Sequence, residues 1–337
     1  MEAQKKKSNN TVIFAAVAVM VIVLIGVAVF ALNGKGMPPG LQNSTQSTIL
    51  QTNVTNQSMY NSTPGNQIQI VAAENFWGSL VSQIGGKYVN VTSIVTDPNA
   101  DPHEYESSSA DAREIANARI VIVNGVGYDD WALKLISASN NPNQTVLNVG
   151  ELLGRANGTN PHLWYNPTYV NTTVKQMYLD LVAADPAHAN YYKQNYENVT
   201  NSLTQVDGRM TEIRTQFAGT KVASTESIFV YLANATGLDL VSPPAFMNAV
   251  AEGVDPPAQS VAQFQNQLEN GNVSVLVYNE QTVTPLTQQM KQIATQHNVT
   301  IVGVTETIQP PDVPFQVWMN SELINLQNAL NANTLGQ

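Results

Sequence analysis

The chain is expected to be an α/β protein: two doubly wound α/β lobes joined by one long rigid helix, preceded by an N-terminal transmembrane helix and a flexible tether. Three observations lead there. From residue 67 onward, short Val- and Ile-rich runs alternate with amphipathic segments. That alternation is interrupted once, over residues 186–217, by a single stretch whose apolar residues recur every three or four positions. It then resumes toward the C-terminus. Alternation of this kind predicts parallel sheets covered by helices on both faces, and 337 residues are enough for two cores of ordinary size.

In the first lobe, strands are expected at 67–73, 89–95, 120–124 and 145–149, with helices at 76–85, 110–117 and 130–138. The interrupting stretch carries Tyr191, Tyr192, Tyr196, Val199, Leu203, Val206, Met210, Ile213 and Phe217. Their spacing predicts one amphipathic helix over 186–217, with Pro186 in its first turn, where a missing N–H is harmless, and Gly219 just past its end. Strands follow at 221–224, 238–241, 273–278 and 299–304, and helices at 228–236, 257–270, 284–297 and 315–332. The folded part thus divides into an N-terminal lobe (67–185), a linking helix (186–218) and a C-terminal lobe (219–337).

Ahead of the lobes, residues 12–32 are uncharged and almost wholly apolar, between a basic segment (1–11, with Lys5, Lys6 and Lys7) and Lys35. About 20 helical residues cross a hydrocarbon core of about 30 Å, whereas a cleaved signal has an apolar core of roughly 7–15. An uncleaved transmembrane signal anchor is therefore expected. The lysines would keep the N-terminus in the cytoplasm, giving a single-pass membrane protein with its C-terminal domain extracytoplasmic. Residues 33–66, rich in Asn, Gln, Ser and Thr, read as a linker. Asn-x-Ser/Thr sequons at Asn43, Asn53, Asn56, Asn61, Asn90, Asn143, Asn157, Asn171, Asn198, Asn234, Asn272 and Asn298 agree with an extracytoplasmic, glycosylated surface, although an Asn- and Thr-rich chain also produces some by chance.

Only 12% of residues are charged, about half the usual share of roughly 25%. A net charge of -10 without basic clusters in the folded part argues against nucleic acid or anionic lipid as partners. The absence of cysteine excludes disulfides, thiolate metal sites, cysteine nucleophiles and lipid attachment through a Cys.

The chemistry is carried by histidines. There are four, and two share a local grammar of an acid or amide, a proline, then the His: His103 in Asp-Pro-His-Glu-Tyr-Glu and His162 in Asn-Pro-His-Leu-Trp-Tyr-Asn-Pro. Glu226 and Glu306 each stand just beyond an expected strand. In open α/β sheets ligands gather beyond the carboxyl ends of strands, so all four can face one cleft, where two imidazoles and two carboxylates suit a divalent cation. No local motif such as His-x-x-x-His makes this site, so only the fold can assemble it. Glu280 is the alternative to Glu306 as fourth ligand. His188 and His297 read as ordinary helix-end residues, Tyr105 and Trp164 as packing around the cleft. Capture requires neutral imidazole, so binding is expected to weaken as pH falls through the histidine range.

The segments Asp101–Glu106, Asn124–Trp131, Asn160–Pro167, Thr225–Leu232 and Val304–Ile308 carry a resemblance to the metal-binding solute-binding proteins of zinc, manganese and iron ABC transporters, over roughly 67–332. The resemblance implies His103 and His162 as ligands, Glu226 before the Phe-x-Tyr helix as the third and Glu306 as the acid after a late strand. It also implies a rigid linking helix that limits lobe closure. The function implied is that of a monomeric extracytoplasmic receptor, not an enzyme, which delivers Mn2+ or Zn2+, with iron behind, to an ABC transporter permease and its cytoplasmic ATPase. Glu as third ligand points toward the manganese-type members. Ser107 stands where the family usually has Pro, Asn160 and Asn166 replace common aspartates, Asp130 replaces a Glu, and the family's His-rich loop is missing. Two other functions compete: a metal-dependent hydrolase, although no His-Glu-x-x-His motif is present, and a metal-stabilised cell-surface adhesin.

Overall fold

The structure, a computed structural model, describes residues 67–99 and 101–334. The expected basic segment (1–11), membrane anchor (12–32) and linker (33–66) lie outside the described residues. Among those described, no helix is long and apolar enough to cross a membrane.

The N-terminal lobe runs β1 (Ile68–Glu74), α1 (Asn75–Gly85), β2 (Val89–Val95), α2 (Ser109–Asn117), β3 (Ile120–Val123), α3 (Asp130–Ser139), β4 (Thr145–Asn148), α4 (Val149–Leu152) and α5 (Pro167–Ala184). The long α6 (Ala189–Phe217, 29 residues) follows. The C-terminal lobe continues with β5 (Lys221–Ser224), α7 (Val230–Thr236), β6 (Asp239–Leu240), α8 (Pro244–Ala251), α9 (Ala258–Glu269), β7 (Val275–Asn279), α10 (Pro285–Gln296), β8 (Thr300–Val304) and α11 (Phe315–Thr334).

Both sheets have four parallel strands in the same connectivity, β2-β1-β3-β4 and β6-β5-β7-β8. The sense in which strands are added therefore reverses between β1 and β3, and again between β5 and β7, which opens a crevice beyond the carboxyl ends of the central strands.

Each expected strand appears, though β6 is only two residues long. Three helices were not anticipated, the single turn α4 among them. In α5, Asn166 accepts hydrogen bonds from the backbone N–H of Thr168 and Tyr169 (3.0 and 3.2 Å) with Pro167 at the first turn. Its buried Val170, Val174, Met177 and Leu181 form a helical stripe that was readable, but the Asn-Pro start read as loop. In α8 the run Pro244–Ala251 is too short for its periodicity to stand out. The long helix also starts later than expected: Pro186–His188 form a 3-10 turn, and the α-helix begins at Ala189.

Alternation along the strands sorts side chains to two faces. Val71, Ala73, Val121 and Val123 form one core with α2 and α3 residues. Ile70, Ala72, Ile120 and Ile122 turn the other way, into a core that continues through Tyr192, Val199, Leu203, Val206, Met210, Ile213 and Phe217 of α6 to Val222, Val275, Val277 and Val302 of the second sheet. The two lobes thus share one apolar interior with α6 running through it. Helix α11 adds a second crossing: the Phe315 N–H donates to Ser79 Oγ of α1 at 3.0 Å.

Because Leu203 is 3% exposed within that shared interior, Leu203→Ala is expected to destabilise the protein by about 2–4 kcal/mol. Urea denaturation followed by circular dichroism should show a lowered midpoint with both lobes still unfolding in one transition.

Candidate metal centre

Each candidate side chain leaves the carboxyl end of a strand or the loop beyond it. His103 sits in a 3-10 turn after β2, whose preceding residue Asp101 accepts the His103 backbone N–H at 2.9 Å. His162 precedes another 3-10 turn, Leu163–Tyr165, beyond β4. Glu226 and Glu306 each lie two residues past a strand, β5 and β8. His162, Glu226 and Glu306 are fully buried, while the His103 side chain is 18% exposed.

The fold brings all four together. His103 Nε2 lies 3.4 Å from Glu306 Oε2, and His162 Nε2 lies 3.5 Å from Glu226 Oε1 and 3.8 Å from Glu306 Oε2. Four donors around one ion at bonds of about 2.1 Å stand about 3.4 Å apart in a tetrahedron, so these three edges are close to the length expected in a coordination shell. Both Nε2 atoms are buried without a hydrogen-bond partner, which is costly unless something else engages them. Glu280 is exposed, and its carboxylate lies against Gly303 on the edge of β8, so of the two alternatives only Glu306 joins the cluster.

The backs of the donors are held. His162 Nδ1 is 2.9 Å from Asn160 Oδ1. That oxygen also accepts the His162 backbone N–H at 3.0 Å, while Asn160 Nδ2 donates to Ser227 O at 2.7 Å, which fixes the amide's orientation. Nδ1 must therefore carry the proton, and Nε2 presents its lone pair to the cluster. Glu226 accepts from Ile228 N–H (3.0 Å), Ser227 Oγ (3.0 Å) and Asn279 Nδ2 (3.2 Å). Glu306 accepts from Tyr128 Oη (2.6 Å), Asn279 Nδ2 (2.8 Å) and Thr282 Oγ1 (3.2 Å). Asn279, at the end of β7, thus bridges both carboxylates. Neither it nor Thr282 was singled out from the sequence, because neither carries a metal-ligand side chain or a motif.

Tyr128 is delivered by an unusual loop. Gly125, Val126 and Gly127 all have positive φ (73°, 54° and 93°). The buried Asp129 carboxylate accepts the N–H of Asn124 and of Gly125, holding the loop closed. A Cβ at Gly125 would lie 2.1 Å from Asn148 Oδ1, so only glycine fits.

Burial holds the His162 imidazole down, to about 3, so it is neutral throughout the physiological range. Burial also pushes Glu226 well up, with the nearby Glu306 adding to it. Burial pushes Glu306 up too, but the neighbouring His103 imidazole and the hydrogen bonds from Tyr128 and Asn279 outweigh it and hold the group below the ordinary carboxylate range.

The remaining histidines match their reading: His188 stacks on Tyr88 and pairs with Asp185, and His297 is exposed at the end of α10. Trp164 is buried against Phe76, and the Tyr105 hydroxyl donates to Asp111, so both serve packing and local structure.

Two parallel-sheet lobes around a buried imidazole–carboxylate cluster define a two-lobed α/β binding protein. Residues 70–329 match the family described as zinc-uptake complex component A, periplasmic (ZnuA), and the chain belongs to that family, one of uptake components and not of enzymes. Relatives include the manganese-binding lipoprotein MntA of Halalkalibacterium halodurans, 27% identical over 52% of this chain and 60% of that protein. Another is the iron-binding protein YfeA of Yersinia pestis, 23% identical over 68% of this chain and 76% of that one. The chain spans about 60% of the length of MntA and of the manganese lipoprotein PsaA of Streptococcus anginosus. Among solved structures, the periplasmic zinc-binding protein TroA of Treponema pallidum superposes with a TM-score of 0.67 at 14% identity, covering 79% of this chain and 99% of that one. Pseudomonas aeruginosa FpvC, solved with Mn2+, does so at 0.66 and 21%, covering 79% and 99%. These two likenesses concern the fold.

One further carboxyl ties the site together. Tyr165 Oη lies 2.8 Å from Thr305 O and 2.6 Å from Glu322 Oε2, and Glu322 Oε1 accepts the Thr305 N–H at 2.9 Å. A phenol has one proton for two acceptors. Burial pushes Glu322 up to about 7, and a protonated Glu322 completes the chain by donating to Tyr165, which donates to Thr305. The loops bearing His162 and Glu306 are thereby joined across the lobes. Since the folded value lies above the unfolded value of 4.5, the stability this group contributes is full below that pH and is lost as pH rises toward 7. Glu322→Gln keeps a neutral partner, so its urea-derived stability should fall less between pH 5 and pH 8 than the wild type's, by on the order of 1–3 kcal/mol.

Proposed function

We propose that this chain is an extracytoplasmic receptor that captures a divalent cation on His103, His162, Glu226 and Glu306 and hands it to the permease of an ABC transporter, which is driven by a cytoplasmic ATPase. One observation carries the reading: two buried imidazole nitrogens without hydrogen-bond partners converge with two carboxylates at 3.4–3.8 Å. A dication answers every unmet demand of that cluster at once, because it engages both lone pairs and neutralises carboxylates that burial would otherwise destabilise. Family membership and relatives named for manganese, zinc and iron support the same conclusion.

The cargo is manganese or zinc, with iron behind. The donor spacing suits a four-coordinate ion, and affinity order favours zinc over manganese; bidentate carboxylates would raise the coordination number toward what manganese accepts. Residues 12–32 anchor the protein as a single span and 33–66 tether it. The relatives MntA and PsaA are named lipoproteins, and an apolar span would take that role in a sequence without cysteine. The receptor works as a monomer. Seven sequon asparagines (Asn90, Asn143, Asn157, Asn198, Asn234, Asn272 and Asn298) are exposed and open to glycosylation.

Isothermal titration calorimetry of the metal-free protein with Mn2+ and Zn2+ tests the reading. One ion per chain is expected, and His103→Ala or His162→Ala should weaken binding at least 100-fold. Stoichiometric tight binding by His162→Ala would overturn the site. Elemental analysis of the native protein should find manganese or zinc near one equivalent.

A further inference from the structure

The donors around His103 form two overlapping groups rather than one. His103, His162 and Glu226 offer ligand atoms within 4.8 Å of one another, and so, separately, do Asp101, His103 and Glu306. Asp101 thus adds a carboxylate outside the four ligands, on the side facing solvent. It lines a cavity of about 470 Å³ together with His103, Glu104 and Glu252, whereas His162, Glu226 and Glu306 do not reach its wall. The depth order is plain: Asp101 and His103 are partly exposed, and the other three ligands are buried.

We propose that Asp101 is the capture ligand of this receptor: an incoming divalent cation is first held by Asp101, His103 and Glu306, then moves inward, exchanging Asp101 for His162 and Glu226 without leaving His103 or Glu306. This rests on reading the cluster as a metal site and adds the route by which the ion reaches it. The chemistry of the two sets fits the order. The outer set, two carboxylates and one imidazole, is the harder one and suits an ion still carrying water; the full inner site, two imidazoles and two carboxylates, offers four donors to an ion stripped of it. His103 Nε2, shared by both sets, has no hydrogen-bond partner. One Asp101 oxygen accepts the His103 backbone N–H at 2.9 Å and Thr282 also hydrogen-bonds the carboxylate, so the group is held in place at the turn that positions the imidazole.

The step is a rate effect, so the test is kinetic. Trp164, whose ring lies 5.2 Å from that of His162, provides a fluorescence signal for stopped-flow mixing of the metal-free protein with MnCl2. Asp101→Asn preserves the cap, and Asp101→Ser, which also caps, is the second variant should the first fold poorly by circular dichroism. Either is expected to slow association roughly tenfold or more while keeping one ion per chain, and to slow release as well, because the way in is the way out. Glu104→Gln and Glu252→Gln remove the same charge from the cavity rim and should slow association by less than about threefold. Association at the wild-type rate in Asp101→Asn overturns the proposal, as does slowing no greater than that of the rim variants, which is electrostatic steering alone. Lost affinity at an unchanged association rate overturns it too, since Asp101 would then be a resident ligand. His162→Ala separates the two levels: wild-type affinity there defeats the metal site itself, whereas lost affinity there with a wild-type rate in Asp101→Asn defeats only the capture step.

Discussion

Two carboxylates and two imidazoles must hold their lone pairs toward one point inside a cleft from which water is largely excluded. Donors of this kind repel one another, and burial penalises the charged ones, so each needs support from behind. The structure supplies it group by group. Asn160 takes the Nδ1 proton of His162, Asn279 donates to both Glu226 and Glu306, and Tyr128 and Thr282 complete Glu306. Tyr128 in turn depends on three consecutive residues of positive φ, held by Asp129. Much of the irregular backbone around the cleft is therefore explained by the demand for a preorganised donor set.

Preorganisation extends to the lobes. Many two-lobed binding proteins close on a hinge of exposed loop, where lobe motion breaks few contacts. Here the inner faces of both sheets pour into one apolar interior threaded by α6, and packed interiors resist continuous deformation. Hydrogen bonds reinforce this across the cleft: Asn75 and Ile308 exchange a pair at 2.9 and 3.2 Å, and the Tyr231 hydroxyl donates to Asn160 O at 3.0 Å. On the proposed function, capture and release would fall to loops and side chains at the mouth, which is where Asp101 and His103 stand.

Legibility followed physical locality. The strands of both sheets and α6 could be read because side-chain burial imposes periods of two and of 3.6 on consecutive residues. The Pro-His motifs were legible because a turn that aims an imidazole leaves its proline and capping residue in place, as the Asp101 cap does. Glu226 and Glu306 were singled out through the rule that ligands gather past strand ends and through the family resemblance, since neither stands in a metal-ligand motif of its own. Helix α8 and the short β6 were missed or overdrawn because few residues give little periodicity. Asn279 and Thr282 carried no signal, since an amide and a hydroxyl become functional only through what they face.

By itself, the sequence determined the class of fold, the long helix between two lobes and the residue types able to bind a cation, because each is a property of neighbouring residues. Tertiary structure alone decided that Glu306 and not Glu280 joins the cluster, that His162 is neutral with its Nε2 lone pair turned inward, and that Asp101 forms a second donor set with His103 and Glu306. Those outcomes depend on distances and desolvation between residues far apart in the chain, and such quantities exist only once the sheets have set the strand ends face to face.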